Sequence, residues 1–223
     1  VIEIDERLDP HGDVIKPLDE KNTETQLQQC FVDGYRTIAI TLMHGYRYPE
    51  HEKKIAAIAQ RTGFTQISIS HQVSPLMKII PRGDTTVLDA YLSPVLRRYV
   101  SQVENVLGRE AKQTGRLMFM QSNGGLTDAR FFAGKDAILS GPAGGVVGMA
   151  KTAKAAGFNK LIGFDMGGTS TDVSHFAGDY ERAFETEVAG IRCCAPMMLI
   201  HTVAAGGGSI LHFDGSRYRV GPD

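Results

Sequence analysis

The residues with the clearest chemical potential form one short string, LIGFDMGGTSTDV, at 161–173. Its apolar start predicts a strand that ends at Asp165, followed by a tight turn and a second strand from Asp172. Because glycine has no side chain, its backbone can approach a phosphate closely and point N–H groups at the oxygens. We therefore expect the turn to hold a nucleotide's phosphates through Gly167, Gly168, Thr169, Ser170 and Thr171.

The aspartate before the turn is predicted to act through a cation. A carboxylate repels phosphate at close range, so we expect Asp165 to orient Mg²⁺ or its bound waters. The alternative is a plain β-hairpin with a glycine-rich turn. The full string D-x-G-G-T-x-T-D is more specific than D-x-G-G, and it resembles the phosphate loops of the actin-like ATPases. Neither a Walker A loop nor G-x-G-x-x-G occurs, which excludes P-loop and Rossmann enzymes.

Two further glycine clusters have more than one interpretation. In SGPAGGVVG at 140–148, Ser140 is predicted to cap a helix whose N-terminus faces an anion, or the glycines allow close helix packing. In AAGGGS at 204–209, Gly206, Gly207 and Gly208 suit a loop that lies against a nucleotide or against another backbone. A bulged turn between strands is the alternative for this second cluster.

The histidines and cysteines show no metal-ligand spacing. No H-E-x-x-H pair is present among the seven histidines. His44 precedes Gly45 after a predicted strand, and His175 faces the side of its strand opposite Asp172; we expect structural roles for both. The adjacent Cys193 and Cys194 are expected to be buried thiols.

The elements that must position the turn alternate between strands and helices. A strand at 37–43, a helix from Pro49 to a C-terminal cap at Gly63, and a strand at 66–70 predict a parallel α/β unit. Asp84 is expected to cap the next helix, with Ser93–Pro94 interrupting it. Further strands are predicted at 1–4, 116–122, 136–140 and 218–221, with a turn at 123–125 and a helix up to Gly157. We place a domain boundary near 157, giving segments 1–157 and 158–223.

Composition excludes several classes of protein. The net charge is −1 with no basic block, which argues against a nucleic-acid partner. No apolar run approaches the roughly 20 residues of a membrane span. Three cysteines without a C-x-x-C pair favour a reducing, cytoplasmic setting. The chain lacks an initial Met and both ends resemble interrupted strands, so we expect a piece of a longer protein.

Longer strings resemble the hydantoinase A/5-oxoprolinase family across residues 1–223. These are LMHGY (42–46), PRGDTTVLDAYLSP (81–94), FMQSNGGL (119–126), LSGPAGGVVG (139–148), IGFDMGGTSTDVS (162–174) and TVAAGGGS (202–209). The PRG at 81–83 and the context of the glycine turn look most like the 5-oxoprolinase branch. An N-methylhydantoin hydrolase, an acetone carboxylase-type subunit or a non-enzymatic actin-like nucleotide-binding module are the alternatives.

The resemblance implies an α/β protein with an actin-like, ribonuclease H-like half from residue 158, preceded by an α/β segment with a parallel sheet. It implies a cytoplasmic enzyme of glutathione metabolism that uses ATP and Mg²⁺ to hydrolyse a small lactam, 5-oxoproline, and forms a homo-oligomer when intact. Asp165 and Asp172 would then orient metal or water, and Gly206–Gly208 would contact nucleotide. A first phosphate loop and a hydantoinase B-like region would lie elsewhere in the same enzyme, so this chain alone is expected to be inactive.

Overall fold

The computed structural model describes residues 1–114, 116–188 and 190–221. The helices are α1 (Glu20–Val32), α2 (Glu50–Thr62), α3 (Ser70–Val73), α4 (Ile79–Thr114) and α5 (Ser140–Ala155). The strands are β1 (Arg7–Leu8), β2 (Val14–Lys16), β3 (Thr37–Ile40), β4 (Gln66–Ile69), β5 (Met118–Met120), β6 (Leu126–Asp128), β7 (Leu161–Met166), β8 (Thr171–Phe176), β9 (Arg182–Ala183), β10 (Thr186–Val188), β11 (Ile191–Cys193), β12 (Met197–Met198), β13 (His201–Val203), β14 (Ile210–Phe213) and β15 (Tyr218–Gly221). Short 3-10 turns occur at Ala129–Phe131 and Gly134–Asp136.

These elements form two compact units that are discontinuous in sequence. The first unit contains Val1–Leu117, Ala129–Lys135 and Glu185–Ala195, and the second contains Met118–Asp128, Asp136–Phe184 and Pro196–Asp223. The structure therefore does not divide at residue 157. The β5–β6 hairpin joins the second unit, while the later β10–β11 hairpin joins the first. The unit to which each hairpin belongs depends on contacts between residues distant in sequence, and local sequence patterns do not indicate those contacts.

The first unit contains the predicted parallel α/β arrangement. Strands β3 and β4 pair in parallel, with Ile40 opposite Ile69, and α2 connects them. Glu50 and Glu52 occupy the first turn of α2, where the helix dipole favours acidic side chains, and Gly63 ends the helix with a φ of 109°. The core contains Leu18, Leu27, Ile40, Ile55, Ile58, Ala59 and Phe64. The strand–helix–strand prediction is thus confirmed.

Helix α4 differs from its prediction in both start and continuity. It begins at Ile79 rather than at a cap on Asp84, and it runs through Pro94 without interruption. Proline removes one backbone donor, which costs about 3 kcal/mol in a helix interior. Hydrogen bonds fix the neighbouring turn, because Ser93 Oγ donates to Asp89 Oδ1 at 3.3 Å and accepts from the Gly134 N–H at 3.1 Å. Tertiary contacts therefore accompany the helical path that the local sequence disfavours.

Two of the predicted strands are absent from the described part of the chain. Residues 1–4 belong to no strand, and the first strand is Arg7–Leu8. Residues 136–140 lead into α5 instead of forming a strand, because Ser122 binds their backbone. The Ser122 N–H and Oγ both donate to the Asp136 carbonyl at 2.7 Å, and Ser122 Oγ accepts from the Leu139 N–H at 3.1 Å. The strand near 218–221 and the glycine turn after β5 are confirmed.

The second unit packs α5 against an antiparallel sheet of order β13–β8–β7. Ala143 and Val146 of α5 join Met198 in its core. A Cβ on Gly163 would lie 2.5 Å from both Met149 Sδ and Ser174 Oγ, so this strand position has no room for a side chain. The small residue allows the helix and the two strands to approach closely beneath the glycine turn.

Candidate phosphate-binding site

The predicted phosphate turn connects β7 and β8 at the end of a regular antiparallel hairpin. Met166 pairs with Thr171, and the Gly167 N–H donates to the Ser170 carbonyl at 2.9 Å, which closes the turn. Gly167, Gly168 and Thr169 are exposed. A Cβ placed on Gly168 would meet no atom within 4 Å, so the tip of the turn faces open space. The hairpin thus presents backbone and a hydroxyl where a phosphate can approach.

The second glycine loop lies directly against the first. The Gly207 N–H donates to the Gly167 carbonyl at 2.9 Å, and the Gly208 N–H donates to the Gly168 carbonyl at 2.8 Å. A Cβ on Gly206 would lie 2.7 Å from the carbonyl oxygens of Gly167 and Gly168. Of the interpretations left open by the sequence, the structure places this loop against another backbone.

These contacts reduce the number of hydrogen-bond donors that are available to an anion. The N–H of Gly206 donates to Ser209 Oγ at 2.9 Å, so all three glycine N–H groups of this loop have acceptors within the protein. Thr171 is buried, and its only hydroxyl hydrogen is donated to the Ala205 carbonyl at 2.6 Å. In this arrangement the Thr171 hydroxyl is not available to donate to phosphate, and the predicted phosphate contact of Thr171 stays a prediction. Thr171 instead ties the two loops together.

The two aspartates lie side by side on one face of the sheet. Asp165 and Asp172 are direct register partners, and directly opposite residues of an antiparallel pair have Cβ atoms about 4.5–5.5 Å apart. Asp165 is exposed, whereas Asp172 is half-buried and accepts a hydrogen bond from Thr202 Oγ1 at 2.6 Å. Thr202 is the one residue of this cluster that the sequence interpretation did not identify. Its signal was the TVAAGGGS string itself.

The carboxylate pair fits a magnesium ion better than a metal that requires a complete protein cage. Within residues 1–114, 116–188 and 190–221, no group of three or more His, Cys, Asp or Glu side chains could hold a metal. Mg²⁺ is usually bound by one or two carboxylates together with waters and substrate phosphates. Asp165 and Asp172 meet that requirement beside an open glycine turn.

Helix α5 approaches the carboxylate of Asp165 at Gly145. A Cβ on Gly145 would be 3.9 Å from Asp165 Oδ2, and one on Gly144 would be 3.8 Å from Met120 Cγ. The N-cap is Leu139 rather than the predicted Ser140, whose Oγ donates to the Ala137 carbonyl at 3.0 Å. Gly144 and Gly145 therefore pack close to the Met120 and Asp165 side chains, whereas Gly141 and Gly148 face open space.

The remaining singled-out residues lie in structural settings. His175 Nδ1 is 2.7 Å from Glu181 Oε1, an exposed ion pair when the imidazole is protonated. Cys193 and Cys194 are both buried thiols, as expected. Burial raises the pKa of the Cys194 thiol, which keeps it protonated and unreactive at neutral pH.

A cavity of about 600 Å³ lies in the first unit, between β4, α4 and residues 129–135. Asp89 lies in its wall and is 4% exposed. It accepts hydrogen bonds from Ser68 Oγ at 2.6 Å and from the Lys135 N–H at 3.1 Å. These bonds connect the three segments, so we interpret Asp89 as a structural carboxylate.

The first unit also contains a buried pair of opposite charges that the sequence interpretation missed. Glu52 and Arg82 are both 0% exposed. Burial lowers the pKa of the Arg82 guanidinium, and the charge of Glu52 opposes that change. Glu52 and Arg82 are separated by 30 positions, so no local pattern indicates that they interact. The HGY and PRG strings near them were the only sequence features that pointed to these two regions.

Comparison with known proteins yields consistent matches. Residues 82–223 match the family model described as hydantoinase/oxoprolinase, and residues 1–63 match its N-terminal region. The chain is 46% identical to the 5-oxoprolinase of Saccharomyces cerevisiae over 212 residues, covering 94% of this chain and 16% of that protein. It is 45% identical to 5-oxoprolinase 1 of Arabidopsis thaliana over 215 residues, covering 94% and 17%. The chain thus spans about a sixth of the length of these relatives.

Two solved structures share the fold. A nucleotide-free acetone carboxylase matches with a TM-score of 0.81 and 25% identity, covering 99% of this chain and 32% of the other. An ATP-dependent caprolactamase from Pseudomonas jessenii matches with a TM-score of 0.81 and 30% identity, covering 98% and 32%. None of the helices described here is both long and apolar enough to cross a membrane.

Proposed function

This chain belongs to the hydantoinase/oxoprolinase family, and on that premise we propose that it is part of a 5-oxoprolinase, which hydrolyses 5-oxo-L-proline to L-glutamate with ATP. The observation that carries the proposal is the open glycine turn beside Asp165 and Asp172. Identities of 46% and 45% to curated 5-oxoprolinases support the choice of substrate. No disulfide joins Cys30, Cys193 or Cys194, which is compatible with a cytoplasmic enzyme of glutathione metabolism.

We further propose that the second unit is one half of an actin-like, ribonuclease H-like ATPase. Its β13–β8–β7 sheet is antiparallel, carries the phosphate turn at the β7–β8 connection, and packs against α5. The facing half-site would come from a first phosphate loop elsewhere in the enzyme. The hydantoinase B-like region and the homo-oligomer that the resemblance implies also stay predictions.

The chemical difficulty is the lactam carbonyl, which is a poor electrophile because the ring nitrogen donates its lone pair. ATP supplies a phosphoryl group for the amide oxygen, so that water can add to the carbon and the C–N bond can break, with a proton going to the ring nitrogen. A second water then cleaves the resulting acyl phosphate and releases phosphate. Phosphoryl transfer depends mainly on positioning and charge neutralisation. In this chain, Gly167, Gly168, Thr169 and Ser170 would position phosphate, and Thr171 would hold the turn.

The aspartates would organise charge around the transferred phosphoryl group. When bound, Mg²⁺ would neutralise charge on the phosphate oxygens. Asp165, which is exposed, would hold the ion or its waters, and Asp172 would do so while fixed by Thr202. Gly206–Gly208 would support the phosphate turn through hydrogen bonds to the backbone of that turn. They would contact the nucleotide only with the atoms that do not face the turn.

The test is an assay of ATP hydrolysis by the intact enzyme with alternative substrates. A 5-oxoprolinase hydrolyses ATP in proportion to glutamate formed from 5-oxoproline. Stimulation by N-methylhydantoin, or by acetone with bicarbonate, would instead indicate one of the other activities, of which acetone carboxylase is represented among the matching structures. Nucleotide binding without turnover on any of these substrates would favour an actin-like binding module.

A further inference from the structure

The first unit has a ligand-facing edge of its own. Because β3 and β4 are parallel and in register, their carboxyl ends at Ile40 and Ile69 lie at the same edge. Ligands of open parallel α/β sheets bind outside the carboxyl ends of the strands. The segments that leave this edge are residues 41–48 after β3 and residues 70–78 after β4.

A single buried guanidinium joins these two segments. Arg82 Nη1 donates to the carbonyl oxygens of Leu76 at 2.6 Å and Met77 at 3.2 Å. Arg82 Nη2 donates to the carbonyl oxygens of Leu42 and Met43, the latter at 3.1 Å. The backbones at 42–43 and at 76–77 are therefore held on the two ends of one planar group.

A buried carboxylate also binds both of these segments. Glu52 accepts hydrogen bonds from the Leu42 N–H at 2.9 Å, from Ser70 Oγ, and from the His71 N–H at 3.2 Å; His71 Nδ1 is 2.7 Å away. A Cβ on Gly45 would lie 2.3 Å from Glu52 Oε1, so the turn after β3 closes tightly over this carboxylate.

Burying two opposite charges is an expensive way to stabilise a fold, because desolvation can exceed their attraction. Its clear benefit is geometric, since eight hydrogen-bonding contacts with fixed directions, including the imidazole contact, leave these segments little freedom. Preorganisation of this kind is what a binding site requires. The network therefore identifies this edge as a place where the position of side chains matters.

The two residues next to the clamped carbonyls carry suitable chemistry. His44 follows Met43 and is half-buried, whereas Lys78 follows Met77 and is exposed. Both are adjacent in sequence to a carbonyl that Arg82 holds, so one guanidinium brings their backbones close to each other at this edge. An ammonium group and an imidazole together match a small molecule that has a carboxylate and an amide.

We propose that this edge binds the lactam substrate, with Lys78 contacting the carboxylate of 5-oxoproline and His44 contacting its ring amide, and that Arg82 and Glu52 are positioning residues. The proposal rests on the proposed function for the identity of the lactam. It concerns the first unit alone, whereas the phosphate turn belongs to the second.

The test compares two lactams that differ only in the carboxylate. In the intact enzyme, Lys78→Met is expected to raise the KM for 5-oxoproline roughly tenfold or more, the effect of losing one charge-assisted hydrogen bond. Inhibition by 2-pyrrolidinone, which lacks the carboxylate, should be unchanged. Lys78→Arg keeps the charge and should restore most of the affinity. Lys21→Met, an exposed charge deletion on α1, is the matched control and should leave the KM unchanged.

The positioning residues are tested separately. Glu52→Gln should weaken the binding of both lactams, while the KM for ATP stays near the native value. If Glu52→Gln does not fold, Ser70→Ala removes one of the hydrogen bonds to Glu52 and should weaken lactam binding to a smaller extent. A native KM for 5-oxoproline together with native inhibition by 2-pyrrolidinone in a folded variant would overturn the positioning role. A native KM for 5-oxoproline in Lys78→Met would overturn the binding site. An intact enzyme with no ATP-dependent turnover of 5-oxoproline would instead refute the proposed function.

Discussion

Replacing Gly206 by alanine tests whether the contact between the two glycine loops fixes the phosphate turn. The new Cβ would lie 2.7 Å from the carbonyl oxygens of Gly167 and Gly168, whereas ordinary van der Waals contacts of a Cβ begin at 3.4 Å. The loops must therefore separate by about 0.7 Å, and the atoms in the way are backbone. This displacement strains the bonds from the Gly207 and Gly208 N–H groups to those carbonyls.

The expected loss of stability follows from two opposing effects. Overpacking costs about 1–3 kcal/mol, while alanine reduces the conformational entropy of the unfolded chain and returns about 0.4–1 kcal/mol. The net destabilisation spans about 0–2.6 kcal/mol, and its midpoint of about 1.3 kcal/mol corresponds to a fall in Tm of roughly 3–5 °C for a chain of this size. Thermal and urea unfolding of the 223-residue chain measure it.

Gly207→Ala provides the matched control for this prediction. Its Cβ would meet the Gly167 carbonyl oxygen at 3.7 Å, an ordinary contact, so stability should be unchanged or slightly higher. In the intact enzyme, Gly206→Ala should also raise the KM for ATP, because the phosphate turn moves with its support. Equal stability of the Gly206→Ala and Gly207→Ala proteins would refute the argument that close packing of the two loops holds the turn.

Three further predictions concern the nucleotide site. Asp165→Asn in the intact enzyme should lower kcat by about 10²-fold or more, the scale of losing one preorganised electrostatic group, with an unchanged circular dichroism spectrum; native turnover would remove Asp165 from the mechanism. Gly168→Val should weaken nucleotide binding, measured by calorimetry on the intact enzyme, more than it lowers Tm, because its Cβ enters open space rather than protein atoms, and native affinity would contradict this. The isolated 223-residue chain should fold but neither bind ATP at micromolar concentrations nor hydrolyse 5-oxoproline, since one phosphate loop leaves the nucleotide exposed to water; turnover by the purified chain would place the active site wholly within it.

The parts of the fold that the sequence predicts well are those whose signals are local. The apolar run before Asp165 and the glycines after it specify the β7–β8 hairpin, and its turn closes within four residues. Gly63 ends α2 because glycine adopts the left-handed conformation in which its N–H donates to the Ala59 and Gln60 carbonyls at the end of the helix. These signals require no knowledge of the rest of the molecule, so the sequence is sufficient.

The errors occur where a distant group determines the local backbone. Residues 136–139 do not form a strand, because Ser122 hydrogen-bonds to the backbone of Asp136 and Leu139. The Gly134 N–H donates to Ser93 Oγ beside the proline of α4. Each partner is between 14 and 41 positions away, and nothing in the local pattern identifies it. The Arg82 clamp on residues 42 and 43 is equally invisible to periodicity, although it fixes the edge that we propose to bind the lactam.

In the candidate phosphate site, some groups of the motif hold the turn in place, whereas others are available to contact a ligand. Hydroxyl and N–H groups each provide one hydrogen, so a group that fixes the loop cannot also donate to phosphate. By this criterion the Thr171 hydroxyl and the Gly167 N–H are already used, as are the N–H groups of Gly206–Gly208. Gly168 and Thr169, exposed at the tip of the turn, are then the best placed to face a ligand. Their freedom depends on the neighbouring groups that hold the turn, and for this reason substitutions at Gly206 and at Gly168 should affect nucleotide binding by different routes.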